Sequence, residues 1–205
     1  SFENNFNDRS DNKHDGKEVK TVNFKSGKKG MAISLSGVAR NDGTGPHVVI
    51  PSSTQLKLTK SFTFAAWVNV ANEIGQGTFM PVLTKGKVQE DYTFWLTLVG
   101  PDVLLNWETD KEFWSHLENN EKSTIKPNTW HYLTATYDGK TVRFYLDGNP
   151  KSVHNYTQTI QTSDEPLHLG ASPPGSLELF TGMLDEVRIY NRALSETEVK
   201  TLSTL

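Results

Sequence analysis

Cysteine is missing altogether from the 205 residues, which removes disulfide frameworks and thiolate chemistry from consideration but leaves the compartment open. Long apolar runs are missing too. No stretch approaches the roughly 20 residues that a membrane-spanning helix needs, so membrane insertion is not expected. The first residues carry no secretion signal, and an exported form is expected to have its signal upstream of Ser1. Excess charge is scarce as well. A net charge of −3 with both signs interspersed gives no long-range field for nucleic acid or an anionic bilayer, so neither is an expected partner. None of the six histidines stands in an H-E-x-x-H spacing, no Gly-x-Ser-x-Gly elbow occurs, and no phosphate-cradling glycine loop precedes a helix. Internal repeats and linkers are likewise absent, and residues 1–205 are read as a single domain.

What remains is rich in Thr, Val, Phe, Tyr, Trp, Gly, Asn and Asp, the mixture expected of many strands joined by polar turns. Period-2 segments recur along the chain, and helical periodicity is nearly confined to its end. Phe62 to Val70 alternates, with Phe62, Phe64, Ala66, Val68 and Val70 on one face. Further strands are predicted at Val48 to Ile50, Val82 to Lys85, Tyr92 to Val99, Val103 to Trp107, Trp130 to Tyr137, Thr141 to Leu146, Pro166 to Gly170 and Gly182 to Asn191. Asp138-Gly139 and Asp147-Gly148 punctuate this pattern as hairpin turns, because glycine adopts a positive φ at little cost. Residues 41–45 and 113–128 read as loops. Near the end, Ser195 and Glu198 have the spacing of a capping box and predict one short helix carrying Val199 and Leu202. The expected fold is all-β.

One carboxylate stands out. Counting by twos along the closing strand puts Met183, Asp185, Val187 and Ile189 on one face, so Asp185 is expected among apolar residues. A carboxylate there is costly unless backbone amides, an arginine or a metal ion satisfies it.

The run Trp130-His131-Tyr132-Leu133-Thr134-Ala135-Thr136-Tyr137-Asp138-Gly139, continuing to Gly148, resembles the central hairpin of the laminin-G-like, concanavalin A-like jelly rolls of bacterial extracellular proteins. Gly182 to Ser195 is similar to their closing strand and helix, and Phe62 to Val68 to an early core strand. The resemblance implies a two-sheet antiparallel jelly-roll sandwich with a short C-terminal helix, in an extracellular setting, whether secreted or on a cell surface. It also implies that the first and last strands are neighbours and that a structural Ca²⁺ ties them. By that resemblance the metal ligands are Glu3, Asp8 and Asp185, with backbone carbonyls near Asn12 and His14; the opening segment is dense in the oxygen donors that calcium takes. An EF-hand is ruled out, because Lys13 and Val22 stand where ligands belong.

Function is less determined than fold. Of the five tryptophans, Trp67, Trp95 and Trp130 fall in strands and are assigned to packing. Trp107 and Trp114 lie in the polar stretch from Asn106 to His116, whose carboxylates, amide and imidazole resemble a sugar-binding edge, where an indole would stack on a sugar ring and polar groups would take its hydroxyls. The expected glycan contacts are Trp107, Trp114, Asp110, Glu112 and His116, joined by Tyr92 and Asp91. The alternative for either ring is to anchor a long loop onto the sandwich. Glu108-x-Asp110-x-Glu112 matches the carboxylate pattern of laminarinase-like glycoside hydrolases, but those enzymes need apolar residues between the acids and here they are Thr109 and Lys111. The reading is therefore a non-catalytic carbohydrate-binding module that targets other domains of a multimodular parent protein to a polysaccharide. A laminin-G-type adhesion module that binds protein is the alternative, and a laminarinase-like glycoside hydrolase is the third reading.

Overall fold

A computed structural model describes residues 2–37, 45–75, 77–87, 91–100, 102–107, 115–118, 125–157, 160–173 and 178–205; at 91, 92, 102, 104–107 and 115–118 only the backbone is described. In chain order the strands are β1 (Lys17–Val19), β2 (Asn23–Ser26), β3 (Met31–Ser36), β4 (His47–Ile50), β5 (Phe62–Val70), β6 (Phe79–Lys87) and β7 (Asp91–Val99). They continue with β8 (Asp102–Trp107), β9 (Ser115–Glu118), β10 (Trp130–Tyr137), β11 (Thr141–Leu146), β12 (Asn149–Asn155), β13 (Leu167–Leu169) and β14 (Thr181–Tyr190), before helix α1 (Glu196–Leu202). Among the described residues two seven-stranded sheets result, one ordered β1-β4-β13-β6-β7-β8-β9 and the other β12-β11-β10-β5-β14-β3-β2, and every pairing is antiparallel. No helix among the described residues is long and apolar enough to cross a membrane.

The alternation read from β5 holds. Phe62, Phe64, Ala66, Val68 and Val70 join the main core, where they meet Leu83, Phe94, Leu96, Leu98, Leu133 and Phe144 from both sheets. Ala65 and Trp67 turn to the outer face and pack with Tyr132 and Trp130. The Asp147-Gly148 turn has positive φ at both residues (53° and 76°), the backbone of a two-residue hairpin loop that follows the twist of its strands. Asp147 also clamps β10. Its carboxylate accepts from the Tyr132 amide at 2.8 Å and from His131 Nδ1 at 2.9 Å, while His131 Nε2 accepts from the Lys126 amide. Burial opposes ionisation of Asp147, but these bonds hold its carboxyl below the usual carboxylate range. Helix α1 begins with the predicted capping box between Ser195 and Glu198 and lays Val199 against Tyr145 and Leu194.

Three expectations are corrected. The stretch expected as a loop from Phe113 to Asn128 contains an edge strand, β9, which pairs with β8. The first strand is not the neighbour of the last: β1 pairs β4 in one sheet, and it is the third strand, β3, that pairs β14 in the other. The face assignment in β14 also changes, because a bulge between Asp185 and Arg188 interrupts the alternation, with Glu186 at φ 47°. Leu184 is paired with Val68 on the core side, Asp185 with Trp67 on the outer side, and the extra residue returns Val187 and Ile189 to the core. Asp185 is buried as expected (0 % exposed), but on the outside of the sheet.

Candidate ligand-binding and carboxylate sites

Asp185 is covered by the turn that joins β2 to β3. Gly27 and Gly30 close that turn through a backbone hydrogen bond of 2.8 Å, and Lys28 lays its ammonium 4.1 Å from the centre of the Trp67 ring beside Asp185. The Lys29 amide donates to Asp185 Oδ2 at 2.9 Å, and the Glu186 amide donates to Oδ1 at 2.8 Å. Two glycines make this approach possible. A Cβ on Gly27 would stand 2.5 Å from Asp185 Oδ2, and one on Gly30 would stand 1.9 Å from Glu3 Oε1. Burial raises the Asp185 pKa, and the two amides partly restore it.

The three carboxylates expected around calcium divide into two groups. Glu3 and Asp185 sit on the same turn, Glu3 accepting from the Met31 amide at 3.4 Å. Asp8 organises the opening segment instead. It accepts from the Ser10 amide, the Ser10 hydroxyl and the His14 amide at 2.7–2.8 Å, which outweigh burial and keep its carboxyl below the usual range. Among the described residues no three His, Cys, Asp or Glu side chains converge closely enough to hold a metal. Glu3 and Asp185 are the two of the three that lie against the same turn, whose glycines leave room for their oxygens.

The residues expected to meet a glycan belong to one end of one sheet. β7 begins at Asp91 and Tyr92 where its antiparallel neighbour β8 ends at Trp107, and β9 begins beside it, with Trp107 opposite Ser115 and Asn106 opposite His116. Asp91, Tyr92, Trp107 and His116 are thus brought together at the level of the backbone. In register, Trp95 pairs with Asn106, which pairs with His116, and Trp107 is the next position along β8, opposite Ser115. Asp110, Glu112 and Trp114, like Glu108, lie outside the described residues.

Sequence reasoning missed two features. The first is a cavity of about 690 Å³ between the opening segment and the closing strand, lined by Phe2, Phe6, Asp8, Arg9, Lys29, Leu58, Glu186, Arg188 and Ile189, among others. Glu186 forms an ion pair with Arg188 at its wall; burial opposes ionisation of this acid, but its hydrogen bonds and the guanidinium hold the carboxyl down at about 2. The second is a buried imidazole pair on the outer face of the sheet that contains β4 and β13. His47 and His168 lie with ring centres 5.4 Å apart, and neither nitrogen of His168 has a hydrogen-bond partner among the described residues. The Leu-His-Leu alternation of β13 was the available signal for a histidine turned away from the core.

A family model described as the Concanavalin A-like lectin/glucanases superfamily matches residues 42–200. Adhesion G-protein coupled receptor V1 of Danio rerio is 29% identical over 106 residues, which is 49% of this chain and 2% of the receptor. The binding domain of Paraclostridial Mosquitocidal Protein 1 superposes with a TM-score of 0.77 at 16% identity, over 96% of this chain and 48% of that one. Domain 4 of AbnA, a GH43 extracellular arabinanase from Geobacillus stearothermophilus, solved in complex with arabinotriose, gives a TM-score of 0.75 at 20% identity, over 98% and 93%. The botulinum neurotoxin serotype G binding domain gives 0.75 at 14% identity, over 97% and 48%. The chain therefore spans about half the length of the two toxin domains and a small part of the receptor. At such identities the structural likenesses establish the fold alone.

Proposed function

From the premise that the chain belongs to the concanavalin A-like lectin/glucanases superfamily, we propose that it is a non-catalytic carbohydrate-binding domain that keeps a larger secreted or cell-surface protein on a polysaccharide. The observation that carries this reading is the register of β7, β8 and β9, which brings the backbones of Asp91, Tyr92, Trp107 and His116 to one end of the sheet, beside the acidic, aromatic sequence from Glu108 to Trp114 that joins β8 to the edge strand β9. An indole at such an edge offers a flat apolar face to sugar C–H groups, and neighbouring amide, carboxylate and imidazole groups match the hydroxyls. Each stacked ring contributes about 1 kcal/mol, so binding is expected at micromolar to millimolar strength, with avidity supplied by attachment to other domains. The superposed arabinanase domain, solved with arabinotriose, supports the ligand class.

The test is affinity electrophoresis through polysaccharide gels. Trp114→Ala is expected to abolish retardation while leaving the melting temperature unchanged. Trp107→Ala is expected to weaken retardation severalfold. If no glycan retards the wild-type domain, the adhesion reading takes over, which the likeness to an adhesion receptor favours.

Calcium forms the second part of the proposal. Glu3 and Asp185 would hold it, and a bound cation would offset the cost of burying the Asp185 carboxylate. The domain is then expected to melt at a lower temperature in chelator and to recover on adding Ca²⁺; an unchanged melting curve would contradict the proposal.

A further inference from the structure

We propose that the cavity beneath the opening segment binds a single-chain amphiphile with an anionic head group, of the chemistry of a medium-chain carboxylate, independently of the glycan-binding edge. The cavity exists because β3 stops pairing with β14 at Leu184, opposite Ile33. Beyond the bulge, the edge of β14 from Glu186 to Tyr190 pairs with no strand on that side among the described residues, and the opening segment crosses it as irregular chain. A gap of about 690 Å³ is left, within the size range of pockets that enclose a small ligand.

The floor of this gap is apolar. Leu56, Leu58 and Leu169 are buried core residues, and Phe6, Val187 and Ile189 pack on the core but stay only partly covered. An aliphatic tail would complete that burial, whereas sugar hydroxyls set against these side chains would lose their hydrogen bonds to water without replacement. Charge at the rim selects the head group. The two acids there are already engaged, Glu186 with Arg188 and Asp8 with the amides of Ser10 and His14. Arg9 and Lys29, both exposed at the mouth, have no carboxylate partner among the described residues. The uncompensated charge is positive, so an anionic head completes the site.

Isothermal titration with octanoate, decanoate and dodecanoate, each below its micelle-forming concentration, tests this. Affinity is expected to rise about fourfold per methylene while the tail is being buried. Decanol and decylammonium are expected to bind severalfold more weakly than decanoate. The pair Arg9→Glu with Lys29→Glu, on exposed side chains, is expected to weaken decanoate severalfold and leave decanol unchanged. Leu58→Trp, filling the floor, is expected to weaken both. Absence of decanoate binding at millimolar concentration, affinity independent of chain length, equal binding of the three head groups, or a charge-reversed double variant that binds decanoate as the wild type does would each overturn the proposal.

Discussion

Asp185→Ala is expected to destabilise the domain by about 2–5 kcal/mol, a large part of the stability of a domain of this size. That loss follows from what the carboxylate satisfies. It accepts the Lys29 and Glu186 amides in a fully buried setting, and leaving a buried donor without an acceptor costs roughly 1–3 kcal/mol each. The turn from Gly27 to Gly30 would also lose its attachment to the bulge in β14, and Lys28 its fixed seat over Trp67. Asp185→Asn keeps one oxygen acceptor but points an amide group at a second donor, so an intermediate loss is expected. Urea denaturation reads both, as a lower midpoint with an unchanged slope. A loss below about 1 kcal/mol for the alanine variant would show that water or neighbouring groups replace the carboxylate.

Acidification is expected to cost on the order of 3 kcal/mol between about pH 6.5 and pH 4, through His168. Burial, then the nearby His47 and Lys85, lower the pKa of His168 to about 4, well under the ordinary value of 6.5. The folded state therefore holds this imidazole neutral while the unfolded state takes up a proton. Stability is fully present above the unfolded value and falls as pH drops toward the folded one. His47, lowered chiefly by burial although its ring bonds Gly45 O, acts in the same direction. Asp185, raised by burial, acts in the opposite direction, and Glu186, lowered from 4.5 to about 2, adds to the loss as pH falls below its unfolded value. His168→Phe should flatten the profile in this window. A wild-type profile already flat from pH 7 to 4.5 would contradict the burial of a neutral, unbonded imidazole.

Much of the fold was legible because its signals are local. The alternation of β5, the two Asp-Gly turns around β11 and the capping box of α1 depend on residues near one another in sequence, and all appear in the structure. What escaped depends on distant partners. β9 has four residues in a polar stretch and exists through its pairing with β8. The bulge in β14 reflects an extra residue relative to β5, which period-2 counting along one strand cannot reveal. That bulge decides where Asp185 goes: its burial was legible, its position opposite Trp67 on the outer face was not. Asp8 illustrates the same limit for the carboxylate site. Its oxygen-rich neighbourhood reads as a ligand set, yet its hydrogen bonds run to Ser10 and His14 within the opening segment. The cavity escaped because it is bounded by residues from opposite ends of the chain.

Recognition of a polysaccharide without its cleavage is tested most directly by pairing affinity electrophoresis across a polysaccharide panel with an assay for released reducing ends. Retardation by at least one polysaccharide, lost in Trp114→Ala and accompanied by no released sugar, is the expected result. Reducing sugar released by the wild-type domain and abolished by Glu108→Gln, or the absence of retardation by every glycan tested, would contradict it.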